Sequence, residues 1–396
     1  MTAAPKRKIR RVVVHFPGFE PLDENDHHQR YVRAAAQSAS AFGFSVETGG
    51  LNCKSGLPRF DVLAHGPNWT THATIQLLGH QRYINRLKQA PFHQRLARGF
   101  QAAATVAISG TFKRYAKLSW RFSLFFLFPF VVMGLGLAGF AAAAVLPVLA
   151  EMPVLNLLWS VPVSAIAFAF VFLPLAERAH VQHLLAHWQL AVSLAQLDDY
   201  DLEALIVSHR AALEEALGTP ADEYLITGHS LGGTFAILAL GAILQQNPAL
   251  LDGKFVSLAT LAGPGLQSSL MKGADVLRSR IKALLTSPAV FWVDFQCFTD
   301  MVNFYGGRVA FDNGFTDLAE PAIKLIRVKS MLTPEHYRRI RWDGLRVHRQ
   351  FVLGSDRPSH YDFTLLTTGP FSARDFVSYG PGVLPPLSED GTVLLP

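Results

Sequence analysis

Two uninterrupted apolar stretches constrain this chain more than any other feature in it. From Phe122 to Ala150 there are 29 residues without a charged side chain, and from Met152 to Ala176 another 25, with Glu151 alone between them. A helix needs about 20 apolar residues to cross roughly 30 Å of bilayer hydrocarbon. Each stretch is therefore long enough to span, the first with residues to spare for tilt, and together they predict a transmembrane helical hairpin turning near Pro147 to Pro153. Pro129, Pro147, Pro153, Pro162 and Pro174 should kink or end helices, which membranes tolerate where the freed backbone groups find other partners. A buried or re-entrant hairpin that does not cross fully is the alternative.

The flank before the hairpin is basic. Between Val62 and Arg121 there is no Asp or Glu, while Arg82, Arg86, Lys88, Arg95, Arg98, Lys113, Arg114, Lys117 and Arg121 supply nine positive charges. An anionic partner is implied, and a basic run leading straight into an apolar span fits lipid headgroups on the cytoplasmic side better than nucleic acid. Two crossings return the chain to the side it left, so the expected protein is a two-helix integral membrane protein with the rest of its chain in the cytoplasm. Composition agrees with a membrane setting: 17% of residues are charged, against about 25% in ordinary soluble domains. Lys6, Arg7, Lys8, Arg10 and Arg11 precede an apolar stretch, Val12 to Val14, too short for a signal-peptide core. Cys53 and Cys297 lie far apart without metal-ligand spacing, so neither a disulfide scaffold nor a zinc site is indicated.

Outside the hairpin the pattern alternates strands with helices, as in a mostly parallel sheet covered on both faces. Strands are expected at Arg11 to His15, Phe44 to Thr48, Arg59 to Ala64, Glu223 to Thr227, Phe255 to Leu261, Ala289 to Phe298 and around Arg346 to Leu353, and helices at Gln29 to Phe42, Leu202 to Leu217 and Leu231 to Gln245. The tail from Pro381 should be irregular. Residues 1–118 and 179–396 then form two halves of one α/β domain, split by a hairpin at 119–178 with helices at about 122–150 and 152–176.

Chemistry concentrates in Glu223-Tyr224-Leu225-Ile226-Thr227-Gly228-His229-Ser230-Leu231-Gly232-Gly233. A bare GxSxG is short enough to arise by chance. Here an expected strand precedes it and an apolar helix follows, the context in which a sharp turn lifts a strained serine out of the sheet's end. Gly228 and Gly232 leave room for close approach of strand and helix. Leu231 N–H, at the helix start, would face an oxyanion developing at the serine's substrate.

This segment resembles the nucleophile elbow of α/β-hydrolases, and Gly-His-Ser-Leu-Gly-Gly is a form common among lipases and related esterases. The resemblance implies an α/β-hydrolase fold interrupted by the transmembrane hairpin, and the chain order oxyanion loop, nucleophile, acid, histidine. The second oxyanion donor of such proteins follows an early strand, usually after a His-Gly pair. This chain departs from that with His15-Phe16-Pro17-Gly18-Phe19, where Phe19 N–H is favoured over Phe16 because it follows the glycine.

A serine hydroxyl needs a histidine base, itself oriented by a carboxylate. Among the 15 histidines, His15 belongs to the entry loop, His229 is expected to point away from the serine, and His183 and His187 read as a helix face rather than a metal site. His360, in the loop Ser355 to Phe363 after the last expected strand, occupies the position that the resemblance gives the base, with His348 as the fallback. For the acid, Asp300 falls where a strand gives way to a loop, and Asp294, inside that strand, is the alternative. Asp312 reads as a turn residue.

The expected protein is a serine hydrolase that cleaves carboxylic esters of lipid or acyl substrates, with Ser230, Asp300 and His360 as triad, Leu231 and Phe19 as oxyanion donors, and no cofactor or metal. A thioesterase or amidase would use the same parts. The rival from another class is a non-catalytic membrane scaffold or binding protein. A transporter role is disfavoured because the hairpin carries no intramembrane charge.

Overall fold

The computed structural model describes residues 7–53, 56–263, 265–378 and 385–394. Lys6 and the start of the tail, Pro381 to Leu384, lie outside the described residues. The chain forms two compact units, Met1–Ile84 with Ser193–Pro396, and Asn85–Val192.

The first unit is an α/β structure on an eight-stranded, mostly parallel sheet. Its strands are β1 (Arg7–Phe16), β2 (Ser45–Thr48), β3 (Arg59–His65), β4 (Trp69–Leu77), β5 (Glu223–His229), β6 (Val256–Leu261), β7 (Val290–Cys297) and β8 (Ala322–Ile326). They lie in the order β2-β3-β4-β1-β5-β6-β7-β8. Pairings from β4 to β8 are parallel, whereas β2 and β3 join through antiparallel ladders. Two of these strands, β4 and β8, were not expected. The strand expected around Arg346 to Leu353 is instead a helix, Gly344–Arg349, followed by a 3-10 turn, Gln350–Val352.

The β-branched run Val12 to Val14 is buried, as suits a strand with helices on both faces. Arg11 is buried beside it. Its guanidinium pairs with Glu223 of β5 at 2.7 Å and donates to the carbonyls of Leu366, Gly369 and Phe371. In the sequence it reads as part of a basic terminus, but here it ties β1, β5 and the C-terminal segment together. The helix Leu231–Gln246 is apolar on every side and buried from Leu231 to Ile243, as a helix that crosses a core must be.

Register decides where the site sits. His15 of β1 lies beside both Leu77 of β4 and Thr227 of β5, and Phe16 lies beside Gly228. The three strands thus end level, at one edge of the sheet. The chain leaves this unit just beyond β4 and returns before the helix Tyr200–Gly218, and the two ends are joined where Tyr83 Oη donates to Asp199 Oδ2 (3.1 Å).

The second unit is helical and wider than the 119–178 hairpin expected from hydropathy. Trp120–Leu149 and Val154–Arg178 are both long and apolar enough to cross a membrane. Between them the chain turns at Glu151, with φ +59°. Ser160 Oγ donates to Ala144 O at 2.6 Å, and Gly136 leaves room for the Phe172 ring. Many of their apolar side chains face outward, with Leu149 71% and Phe170 76% exposed. Such surface is unfavourable in water at about 25 cal/mol per Å² and suits lipid. Helices Phe92–Ile108, Thr111–Leu118 and most of Val181–Gln196 belong to the same unit, and Trp188 is buried among Tyr115, Phe122 and Phe126. His187 packs against Phe125 and Trp188.

Candidate active site

Ser230 stands at the turn between β5 and Leu231–Gln246 with φ 53° and ψ −132°. That backbone conformation is costly for a residue with a side chain and persists only where the surroundings enforce it. Two glycines make the enforcement sterically feasible. A methyl group at Gly228 would lie 2.3 Å from Gly233 Cα, and one at Gly232 would lie 2.2 Å from the carbonyl oxygens of both Phe16 and Pro17. Hydrogen bonds from Ser230 N to Leu261 O (3.0 Å) and from Gly233 N to Ser230 O (3.0 Å) fix the turn.

The loop after β1 lies against this turn. A methyl group at Gly18 would come within 3.3 Å of Ser230 Cβ and 2.9 Å of His229 Nδ1. The loop is bent by a hydrogen bond from Glu20 N to Gly18 O (2.8 Å), and His80 Nε2 lies 3.2 Å from Gly18 O while stacking on Phe235. Phe19 is thereby held one residue from the serine's neighbour, and Leu231 opens the helix on the other side. A shallow cleft borders Pro17, Gly18 and Glu20 and extends to Leu22, Leu77 and Ile84.

Asp300, three residues beyond β7, is buried. Its Oδ1 accepts Val302 N–H (2.9 Å), and its Oδ2 meets His348 Nδ1 at 2.7 Å. Since a carboxylate only accepts, Nδ1 carries the proton, which leaves the lone pair on Nε2. That Nε2 is buried and has no hydrogen-bond partner. Asp294, the alternative acid, is engaged elsewhere: Thr260 Oγ1 and Gln296 Nε2 donate to its two oxygens (2.6 and 2.8 Å), and burial raises its pKa. Asp312 accepts Arg308 N–H at the end of a single helical turn.

His360 is not brought to Asp300. Its Nε2 lies 3.1 Å from Leu325 O on the edge strand β8, and burial, then the nearby charge of Lys324, lowers its pKa. Among the described residues no carboxylate is bonded to His360. The loop around it is structural: Asp356 meets His336 Nδ1 (2.9 Å) and accepts Thr333 N–H, and Asp362 accepts from Ser38, Ser355 and Leu365 N. The histidine paired with Asp300 is therefore His348, and the expected partnership of Asp300 with His360 is corrected.

Two side chains that the sequence left without a role tie His348 to the serine. His229 Nε2 lies 3.1 Å from His348 O, and the two rings are 4.7 Å apart between centroids. Burial and the nearby His348 depress the His229 pKa to about 3, so it is neutral and donates through Nε2. Glu20, at the end of the loop after β1, pairs with Arg30 and with Arg349, the residue after His348 (3.2 Å). Burial alone would raise its pKa, but Arg30 holds it down at about 2. An Arg directly after a candidate base is the only trace of this strap in the sequence. Comparison with protein-family models, curated proteins and solved structures finds no match for this chain.

Proposed function

We propose that this protein is a membrane-anchored serine hydrolase of the α/β-hydrolase type that cleaves carboxylic esters of lipid or acyl substrates. The observation that carries the reading is the Asp300–His348 pair, with the His348 carbonyl bonded to His229, the residue that precedes a strained, glycine-flanked serine. Nucleophile, acid and histidine follow in the chain order Ser230, Asp300, His348.

In this mechanism Ser230 Oγ attacks the ester carbonyl and His348 Nε2 takes its proton. Asp300 stabilises the imidazolium, and the backbone N–H groups of Leu231 and Phe19 hold the oxyanion. The imidazolium then protonates the departing alcohol, and water, activated by His348, releases the acid. The substrate class is argued from the two apolar helices, which would bring the enzyme to a lipid phase. The cytoplasmic side is favoured by the basic flank Lys113 to Arg121.

The test is labelling of the purified full chain by a fluorophosphonate, followed by a panel of esters of increasing acyl length. Labelling of the native chain and none of Ser230→Ala is expected, with preference for long acyl esters over short ones. A folded native chain that resists the probe would refute the enzyme reading and favour a scaffold; faster turnover of thioesters or amides would refute the ester assignment.

A further inference from the structure

We propose that the surface around Trp342, on the segment that leads into His348, docks on an anionic lipid bilayer. Trp342 is 87% exposed, an unusual position for an indole, whose preferred place is the boundary between water and lipid. Exposed aromatic rings also occur on the adjoining acid loop, where Phe298 and Tyr305 pack together with centroids 5.2 Å apart. The two segments touch, since a methyl group at Gly344 would lie 3.2 Å from Met301 Sδ. Aromatic side chains thus line a rim formed by the loops that carry Asp300 and His348.

The charge around this rim is basic. From Pro334 to Arg349 there are five arginines against Glu335 and Asp343. The two carboxylates pair with Arg338 (2.9 Å) and Arg346 (3.2 Å). Arg339 and Arg341 are exposed and have no carboxylate partner among the described residues, and the Arg341 guanidinium lies 5.1 Å from the Trp342 ring centroid. A merely solvated face would carry the arginines without the indole. Arginine and aromatic rings together also suit nucleic acid, but a chain with two outward-facing apolar helices meets lipid headgroups first. The docked segment carries the base, so an acyl substrate would reach Ser230 from the membrane surface.

The test uses the full chain in nanodiscs whose lipids are brominated along the acyl chains, made of phosphatidylcholine alone or mixed with phosphatidylglycerol. The emission of Trp342 is taken as the difference between the native chain and Trp342→Phe. Quenching of that emission is expected in the mixed bilayer and much less in phosphatidylcholine. Each arginine near an anionic surface contributes about a fivefold preference, so Arg339→Gln with Arg341→Gln should lower the ratio of docked to undocked chain roughly thirtyfold. Circular dichroism checks that these surface variants stay folded. Equal quenching in both bilayers, no quenching in either, or protection of Trp342 from acrylamide by a polynucleotide rather than by the mixed bilayer would overturn the proposal. The readout does not involve Ser230: a chain that labels with fluorophosphonate but shows no Trp342 quenching loses the docking surface and keeps the hydrolase reading, and the converse result does the opposite.

Discussion

Exchanging His348 and His360 for glutamine separates the two candidate bases. His348→Gln removes the Nε2 lone pair but keeps an amide N–H that can still donate to Asp300. Asp300 has a side chain that is 0% exposed and would otherwise lose its partner at 2.7 Å. Alanine would leave that carboxylate short of a partner, at a cost of about 3–5 kcal/mol to folding, which is why glutamine is the informative change. Loss of the general base should slow fluorophosphonate labelling of Ser230 by about 10⁴-fold, equivalent to roughly 5 kcal/mol of transition-state stabilisation. His360→Gln gives up only the contact with Leu325 O, worth about 0.5–1.5 kcal/mol of stability, and should leave the labelling rate within about twofold. The assay is the second-order labelling rate of each purified full-length variant, with thermal melts to show that each is folded. Loss of labelling in His360→Gln with retention in His348→Gln would refute the assignment.

Three further outcomes are expected. Gly232→Ala places a methyl group 2.2 Å from two backbone oxygens of the loop after β1, so the loop must move; a cost of about 1–3 kcal/mol in melting experiments and at least a tenfold drop in labelling are expected, and an unchanged rate would separate that loop from catalysis. Burial holds His27 and His209 at a pKa of about 4 and His80 and His229 at about 3, below the ordinary 6.5 of an exposed histidine. The unfolded chain therefore binds more protons between these values, and stability should fall as pH drops below 6.5, by up to about 1.4 kcal/mol per pH unit for each histidine; a melting temperature unchanged from neutrality to about pH 5 would contradict the burial. Arg11→Met leaves Glu223 and three carbonyls without their guanidinium, and denaturant titration should show a loss of about 3–5 kcal/mol, whereas a loss below about 1 kcal/mol would mean that the pair contributes little.

The hairpin and the strand, turn and helix around Ser230 were legible because both are local. One is a run of apolar residues, the other a pattern that needs only its immediate flanks. Elements set by tertiary contacts were harder to read. Trp69–Leu77 is rich in threonine and lies inside the segment that lacks acidic residues, so its place in the interior of the sheet was hidden, and Ala322–Ile326 is a short edge strand interrupted by Lys324. Missing that last strand displaced the histidine. Arg346 to Leu353 has the β-branched, apolar look of a strand, yet Asp343 caps a helix there by accepting Arg346 N–H (3.1 Å), and His348 rides on that helix. The Asp-Gly pair at Asp343 and Gly344 was the available signal. The position of Asp300 just past the end of a strand could be read because β7 ends cleanly before it. The bonds from His229 and Glu20 to the His348 segment span more than a hundred residues, and no local pattern encodes them.

Trapping the covalent intermediate tests the central claim most directly. The purified chain, acid-quenched within the first turnover of an activated long-chain ester, should carry one acyl group, and peptide mapping should place it on Ser230. A fully turning-over enzyme with no adduct, or with the adduct on another residue, would contradict the account.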